Sequence, residues 1–157
     1  WLRGRQDQSI AELETAVDLS PNFALGYYSL AFVLSQAGDA QKAVGSSDHS
    51  RYLSPFDPLL FAMLGARAMA LVRLGNFEEA ADWGAKAMAR PNAHPHVLAI
   101  GTFTLALAGR LDDANAGMGA IRRIVPNYSV DDFLRAFRFD ERGAELFRKG
   151  AKLVGMA

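Results

Sequence analysis

The sequence predicts an all-α protein, a right-handed superhelical solenoid of antiparallel helix pairs with a C-terminal capping helix pair. Apolar residues recur at helical spacing along its 157 residues, and no stretch alternates β-branched with polar residues as strands do. Prolines also follow amphipathic runs at intervals of 34 to 36 residues, at Pro21, Pro55, Pro91 and Pro126. This interval is the period of a helix-turn-helix repeat, and helices end before proline because it lacks a backbone donor.

Each interval also contains a glycine between two apolar runs, which predicts a tight turn between paired helices. These glycines are Gly38, Gly75 and Gly109. Each is expected to adopt the left-handed conformation that ends one helix, after which Asp39 or Asn76 caps the next helix. Five residues after each glycine stands an alanine that is small enough to let the paired helices approach closely: Ala43, Ala80 and Ala114.

These markers resemble the tetratricopeptide repeat (TPR), whose 34-residue pattern runs W-x2-L-G-x2-Y, then A-x3-F, then P. The second unit of this chain reads Tyr27-x2-Leu30-Ala31-x2-Leu34, then Ala43-x3-Ser47, then Pro55. The resemblance covers about residues 1–126. It implies a partial first unit at 1–21 and further units at 22–55, 56–91 and 92–127, after which residues 128–157 are expected to form C-terminal capping helices. Arg67 and Gly101 stand where the family pattern has leucine.

Two further predictions concern the start of the chain and one connection. Trp1 and Leu2 precede an Arg-Gly-Arg turn and are expected to be the last turn of a truncated first helix. We therefore interpret the chain as a segment of a longer protein. Asp57 followed by Pro58 predicts an early start for the helix after Pro55, because proline is favoured at the first helical position.

After Pro126 the pattern changes to two helices that do not form a repeat. Ser129 is expected to open a short helix through Phe137, and Asp140 a last helix that ends near Gly155. Their apolar side chains predict that residues 129–154 fold back on the helix at 112–124 and seal the end of the solenoid. This tail is similar in style to the C-terminal region of bacterial class III adenylate and guanylate cyclases and related signalling regulators.

Charge and cysteine content exclude several classes of protein. Seventeen Lys and Arg balance seventeen Asp and Glu, so no polybasic surface for nucleic acid or anionic membranes is expected. No apolar stretch approaches the roughly 20 residues of a membrane-spanning helix, and a cytoplasmic protein is expected. The absence of cysteine excludes disulfides, thiolate zinc sites and a cysteine nucleophile. No phosphate-binding glycine motif is present, so no cofactor is expected.

No catalytic residue and no metal site are predicted. His94 and His96 could bind a metal, but they lack a nearby carboxylate or thiol, and helix capping is the simpler interpretation. His49 lies between Asp48 and Ser50, yet adjacency on one helix does not build a catalytic relay. The acidic pairs fall in first helical turns, where they complement the helix dipole. They are Glu78-Glu79, Asp112-Asp113 and Asp131-Asp132.

The TPR resemblance implies that the first helix of each unit lines a concave groove. The residues expected to form this partner-binding surface are Tyr28, Phe32, Arg67, Met69, Val72, Phe103 and Leu107. Aromatic and methionine side chains on such a wall suit an amphipathic helix or an extended peptide. The alternative is that these residues pack against one another or against the C-terminal helices. Arg67 is expected either to reach an edge or to meet an acidic partner, preferably Asp82 or a bound ligand.

Two functions follow as hypotheses. The first is a non-catalytic scaffold that binds a peptide or partner protein in the groove or mediates self-association as a homo-oligomer. The second is a regulatory C-terminal segment of a larger signalling enzyme, such as a class III adenylate or guanylate cyclase, with catalysis in an absent N-terminal region. In the second hypothesis, the segment couples oligomerisation or a ligand to the output of the enzyme. A protein or peptide is expected as the partner, with no nucleic acid and no membrane insertion.

Overall fold

The computed structural model describes residues 5–156, which form helices and contain no strand. Nine helices lie in this part of the chain. They are α1 (Gln6–Leu19), α2 (Ala24–Ala37), α3 (Ala40–Leu53), α4 (Leu60–Leu74), α5 (Phe77–Met88), α6 (Pro95–Leu107), α7 (Leu111–Ile124), α8 (Val130–Ala136) and α9 (Glu141–Leu153). The predictions for Trp1 and Leu2 lie outside the described residues.

The helices pack as a chain of antiparallel pairs. Helix α2 pairs with α3, α4 with α5, and α6 with α7, and both α3 and α5 also contact the first helix of the next pair. The first helices α2, α4 and α6 lie side by side along one face. This arrangement confirms the predicted TPR-like helical solenoid.

The turn glycines differ in conformation. Gly75 and Gly109 have φ values of 82° and 78°, which confirms the predicted left-handed helix ends. The prediction is wrong for Gly38, whose backbone is extended at φ −91° and ψ −154°. A Cβ atom there would lie 2.6 Å from Leu34 Cδ2, so this glycine provides space instead. Asp39 caps α3 as predicted, because its carboxylate accepts a hydrogen bond from the Lys42 amide at 3.0 Å.

Two other helix starts depart from the sequence predictions. Asn76 occupies the N-cap position of α5 but makes no side-chain capping bond. Helix α4 begins at Leu60 rather than at Pro58. The Asp57 carboxylate accepts a hydrogen bond from the Leu59 amide at 2.8 Å, which closes a separate turn before the helix. Local capping at Asp57 therefore delays α4 by two residues.

Helix α6 is the centre of the core. Every residue from 97 to 106 is buried, since α4, α5, α7, α8 and α9 all contact this helix. The small residues that the turn spacing singled out, Ala43, Ala80 and Ala114, have no exposed surface and lie in the same core. A helix that is apolar on all sides is expected to be enclosed in this way.

The C-terminal helices lie on a different face from the one predicted. Helix α9 packs on α6 and α4, and α8 packs on α6 and α9. The prediction that the tail seals α7 is therefore wrong. The apolar side of α7, including Met118 and Ile121, is already buried in the core, whereas α6 presents a second apolar side on the face of the first helices.

Close contact between α9 and α6 depends on Gly150. A Cβ atom at this position would lie 2.8 Å from the Phe103 carbonyl oxygen, which belongs to the rigid backbone of α6. We expect Gly150→Ala to lower the free energy of unfolding by about 1 to 3 kcal/mol, since α9 must move away. Urea denaturation measures this change.

Gly45 provides the matched control for this glycine. It lies in α3, and a Cβ atom there meets nothing within 4 Å. Gly45→Ala is expected to raise stability by about 0.5 to 1 kcal/mol, because alanine is the better helix former. A Gly150→Ala variant as stable as the parent would contradict the docking of α9 on α6.

Candidate functional site

The C-terminal half of the concave face is filled by aromatic side chains of the tail. The Phe133 ring lies edge-on to Phe103 at 5.2 Å between centroids, and Phe147 lies 5.1 Å from Phe133. These three side chains have no exposed surface. Phe137 and Phe139 extend the cluster along the loop between α8 and α9. The tail therefore occupies the face where the sequence predicted an open groove.

The predicted groove residues divide into two groups. Met69, Val72 and Phe103 have no exposed surface, and Leu107 lies beneath α9 near Gly150. Val72 and Phe103 are therefore core residues of the folded chain and do not form open groove surface. Tyr28 and Phe32 on α2 are half-buried, and the Phe137 ring of the tail lies 5.9 Å from Phe32.

Two cavities meet at Tyr28 and Phe32. The first has a volume of about 230 Å³ and lies between the first helices and α8. Its lining consists of Tyr28, Phe32, Ala62, Met69, His94, His96, Val97, Ile100, Ala136 and Phe137. The second has a volume of about 380 Å³ and lies between α1 and α2. Its lining consists of Ser9, Glu12, Leu13, Tyr28, Ser29, Phe32 and Val33. The two rings, 6.1 Å apart, thus form the wall between two apolar recesses.

Polar groups line the first cavity at the start of α6. His94 stands at the N-cap position without a side-chain capping bond, so its predicted capping role is not seen, and Asn92 instead donates to the Pro58 carbonyl at 3.0 Å. His96 Nδ1 and the Tyr128 hydroxyl share a hydrogen bond of 2.6 Å. Burial lowers the pKa of both histidines, and the charge of His94 lowers the pKa of His96 further. Both imidazoles are therefore neutral at pH 7.

Stability is expected to fall as the pH drops through the range where these histidines titrate in the unfolded chain. Their pKa values in the folded chain lie below about 6.5, the unfolded value, so the unfolded chain binds more protons in acid. The stabilisation is complete above that pH and is lost below it. Thermal unfolding at a series of pH values measures this, and His94→Gln/His96→Gln is expected to flatten the dependence of stability on pH. An unchanged slope in the double variant would contradict the assignment.

A polar latch, formed by Gln36, Arg73 and Asp140, fixes the tail to the ends of α2 and α4. Gln36 is fully buried, and its carbonyl oxygens accept hydrogen bonds from the Arg138 amide at 2.6 Å and the Asp140 amide at 3.0 Å. Arg73 donates to Asp140 at 2.7 Å and to the carbonyls of Leu34 and Gly38 at 2.9 Å each.

Sequence reasoning did not single out this latch. The available signal was a polar residue near the end of each of two largely apolar helices: Gln36 on α2 and Arg73 on α4. Buried polar groups need hydrogen-bond partners, so each of these residues implies a contact that its own helix does not supply.

Arg67 lies away from the concave face and meets acidic partners, but not the predicted one. Its guanidinium donates to Asp48 on α3 at 2.8 Å and to Glu79 on α5 at 2.7 Å. Asp82 pairs with Arg110 instead, at 2.9 Å. Burial alone would raise the pKa of Asp48, but hydrogen bonds from Arg67 and Arg51 lower it below its usual value. Arg67 therefore ties two second helices to α4.

Other titratable residues that the sequence analysis considered take part in side-chain packing or helix capping. The His49 ring packs edge-on against Tyr27 at 4.3 Å, and Asp132 forms a capping box with Ser129. Across residues 5–156, no group of three or more His, Asp or Glu side chains is arranged to hold a metal ion. In the same range, no helix has both the length and the apolar character needed to cross a membrane.

The repeated helix pairs and their shared concave face define a helical-repeat protein. Residues 2–38, which include α1 and α2, match the family model described as TPR repeat. This match confirms the resemblance drawn from the turn and proline spacing, and the following pairs continue the same architecture. Comparison with curated proteins found no match.

Proposed function

We propose that this chain is a non-catalytic, cytoplasmic protein-interaction module that binds a partner peptide at the Tyr28–Phe32 wall. TPR repeats generally mediate protein–protein interaction, and residues 2–38 match this repeat. The main support for the proposal is that two apolar cavities share the Tyr28 and Phe32 rings as lining. The tail fills the C-terminal half of this face, and its Ala136 and Phe137 form one side of the first cavity.

The lining favours an amphipathic segment that inserts a large apolar side chain. The cavity of about 230 Å³ is smaller than most small-molecule sites, and it suits one bulky side chain rather than a whole cofactor. Met69 can adapt its shape to different side chains. The Tyr28 hydroxyl makes no hydrogen bond to another residue between 5 and 156, so it is available to a peptide backbone. Burial raises the pKa of this hydroxyl, which keeps it a donor.

Selection from a random peptide library tests the site. Peptides selected on the parent protein are expected to bind Tyr28→Ala at least about tenfold more weakly in calorimetry. The matched control is Leu111→Ala, which removes an exposed apolar side chain on α7. Thermal unfolding of both variants separates lost binding from lost folding. Selected peptides that bind Tyr28→Ala as tightly as the parent would contradict the proposed site.

Under the same proposal, the partner at the Tyr28–Phe32 wall can be a second copy of this chain. Sedimentation velocity of the parent protein would reveal a dimer, and dissociation of that dimer by Tyr28→Ala would identify a second copy of the chain as the partner. The regulatory hypothesis, in which this module controls a signalling enzyme such as a bacterial nucleotide cyclase, stays a prediction.

A further inference from the structure

A second recess lies away from the concave face, between the end of α3, the start of α4 and the end of α5. Its volume is about 570 Å³. Leu60, Leu64 and the indole of Trp83 provide apolar lining, and Arg51, Lys86 and Arg90 provide three positive charges. No carboxylate lines it. We call this recess the Trp83 groove.

Internal ion pairs neutralise only part of the positive charge near the Trp83 groove. Asp48 accepts hydrogen bonds from both Arg51 and Arg67, and Glu79 accepts from Arg67. Two carboxylates thus balance two guanidiniums. Within residues 5–156, Lys86 and Arg90 have no carboxylate at salt-bridge distance, so the groove retains an excess of two positive charges.

Trp83 holds the cations in place at the groove. The Arg51 guanidinium carbon lies 4.3 Å from the Trp83 ring centroid, and the Lys86 ammonium lies 4.2 Å from it. Arg51 Nε is buried without a hydrogen-bond partner in the described part of the chain. Cations positioned over an indole face lose less freedom when they bind an anion. Phe56, next in sequence to the lining residue Pro55, is 94% exposed.

We propose that the Trp83 groove binds an acidic peptide segment of a partner protein. An apolar side chain of the segment packs on Leu60, Leu64 and Trp83, and flanking carboxylates pair with Lys86 and Arg90. This interaction surface is separate from the Tyr28–Phe32 wall and adds a second docking point to the proposed module. Nucleic acid is the poorer ligand, because the chain carries no net charge and two free cations do not make a phosphate-binding stripe.

The test uses a Trp1→Phe background, in which Trp83 is the remaining tryptophan. The probe is a fluorescently labelled synthetic peptide with one phenylalanine between glutamate pairs, and its matched control has glutamine at every glutamate. Saturable binding of the acidic peptide is expected by anisotropy, together with a change in Trp83 emission. Binding is expected to weaken as salt rises from about 0.05 to 0.5 M, because exposed charges are screened.

Reversing the charge of two lining residues tests whether the peptide binds at the Trp83 groove. Lys86→Glu/Arg90→Glu is expected to weaken binding of the acidic peptide at least about tenfold, which corresponds to a loss of about 1.4 kcal/mol of binding free energy. Arg122→Glu/Arg123→Glu, an exposed basic pair on α7, is the matched control and is expected to leave binding unchanged. All four side chains are exposed, so the variants are expected to retain the fold, which thermal unfolding checks.

Three results would overturn the proposal. The first is the absence of saturable peptide binding to the parent protein. The second is equal affinity of the parent and Lys86→Glu/Arg90→Glu for the acidic peptide. The third is binding of single-stranded DNA or phosphatidylserine vesicles, sensitive to the same reversal, by a protein that does not bind the peptide. Because Tyr28 is unchanged in these variants, failure here leaves the concave site unaffected.

Discussion

Phe133→Ala is expected to lower the free energy of unfolding by about 3 to 5 kcal/mol, the usual cost of deleting a buried aromatic ring. Phe133 has no exposed surface, and its ring lies within 5.2 Å of the ring centroids of Phe103, Phe137 and Phe147. Its loss removes the central member of the cluster that joins the tail to α6. Guanidinium denaturation, followed by circular dichroism, measures the change.

The matched control for this variant is Phe56→Ala. Phe56 is 94% exposed in the connection between α3 and α4, so its removal is expected to change stability by less than about 0.5 kcal/mol. Equal effects of the two substitutions would contradict the placement of Phe133 in the core.

Arg73→Met is expected to lower stability by about 2 to 3 kcal/mol, because it removes charge-assisted hydrogen bonds and leaves their partners unpaired. The guanidinium joins the carbonyls of Leu34 and Gly38 to the Asp140 carboxylate, and it is mostly buried. Methionine retains the apolar stem of the side chain, so the effect reports the lost polar contacts.

Hydrogen exchange separates a local effect on the tail from general destabilisation. In Arg73→Met, the amides of Arg138 and Asp140, which donate to Gln36, are expected to exchange faster. Arg122→Met, at an exposed position on α7, is the control and should leave these amides protected. Unchanged protection of both amides in Arg73→Met would show that the arginine does not hold the tail.

The repeat architecture could be predicted because its determinants are local. The proline interval, the left-handed turns at Gly75 and Gly109 and the small residues Ala80 and Ala114 each act within one helix pair. Such signals depend on backbone chemistry and close helix contacts, and they are present in the sequence whatever the pairs pack against.

The position of the tail could not be predicted from the same signals. The apolar residues Phe133 and Phe147 indicated a buried face, but their own sequence does not specify whether they cover α6 or α7. The relevant signal was in α6, whose residues from 95 to 107 include no charged side chain and leave no polar face for solvent. A helix of that composition requires covering on every side.

Arg67 shows the same limit at the level of one side chain. An acidic partner could be predicted, because a buried guanidinium needs compensation. Which carboxylate pairs with the guanidinium depends on how three helices pack together. Asp48 and Glu79 converge on Arg67 from α3 and α5, while Arg110 attracts Asp82 from the far side of α5.

The tail fills the C-terminal half of the concave face, and its Phe137 ring reaches Phe32 beside the two cavities. Nuclear Overhauser contacts between aromatic side chains test this placement of the tail. We expect contacts of the Phe133 ring with Phe103, and of Phe137 with Phe32, whose centroids lie 5.2 and 5.9 Å apart. Contacts from Phe133 or Phe147 to the exposed side of α7, with none to Phe103, would contradict it.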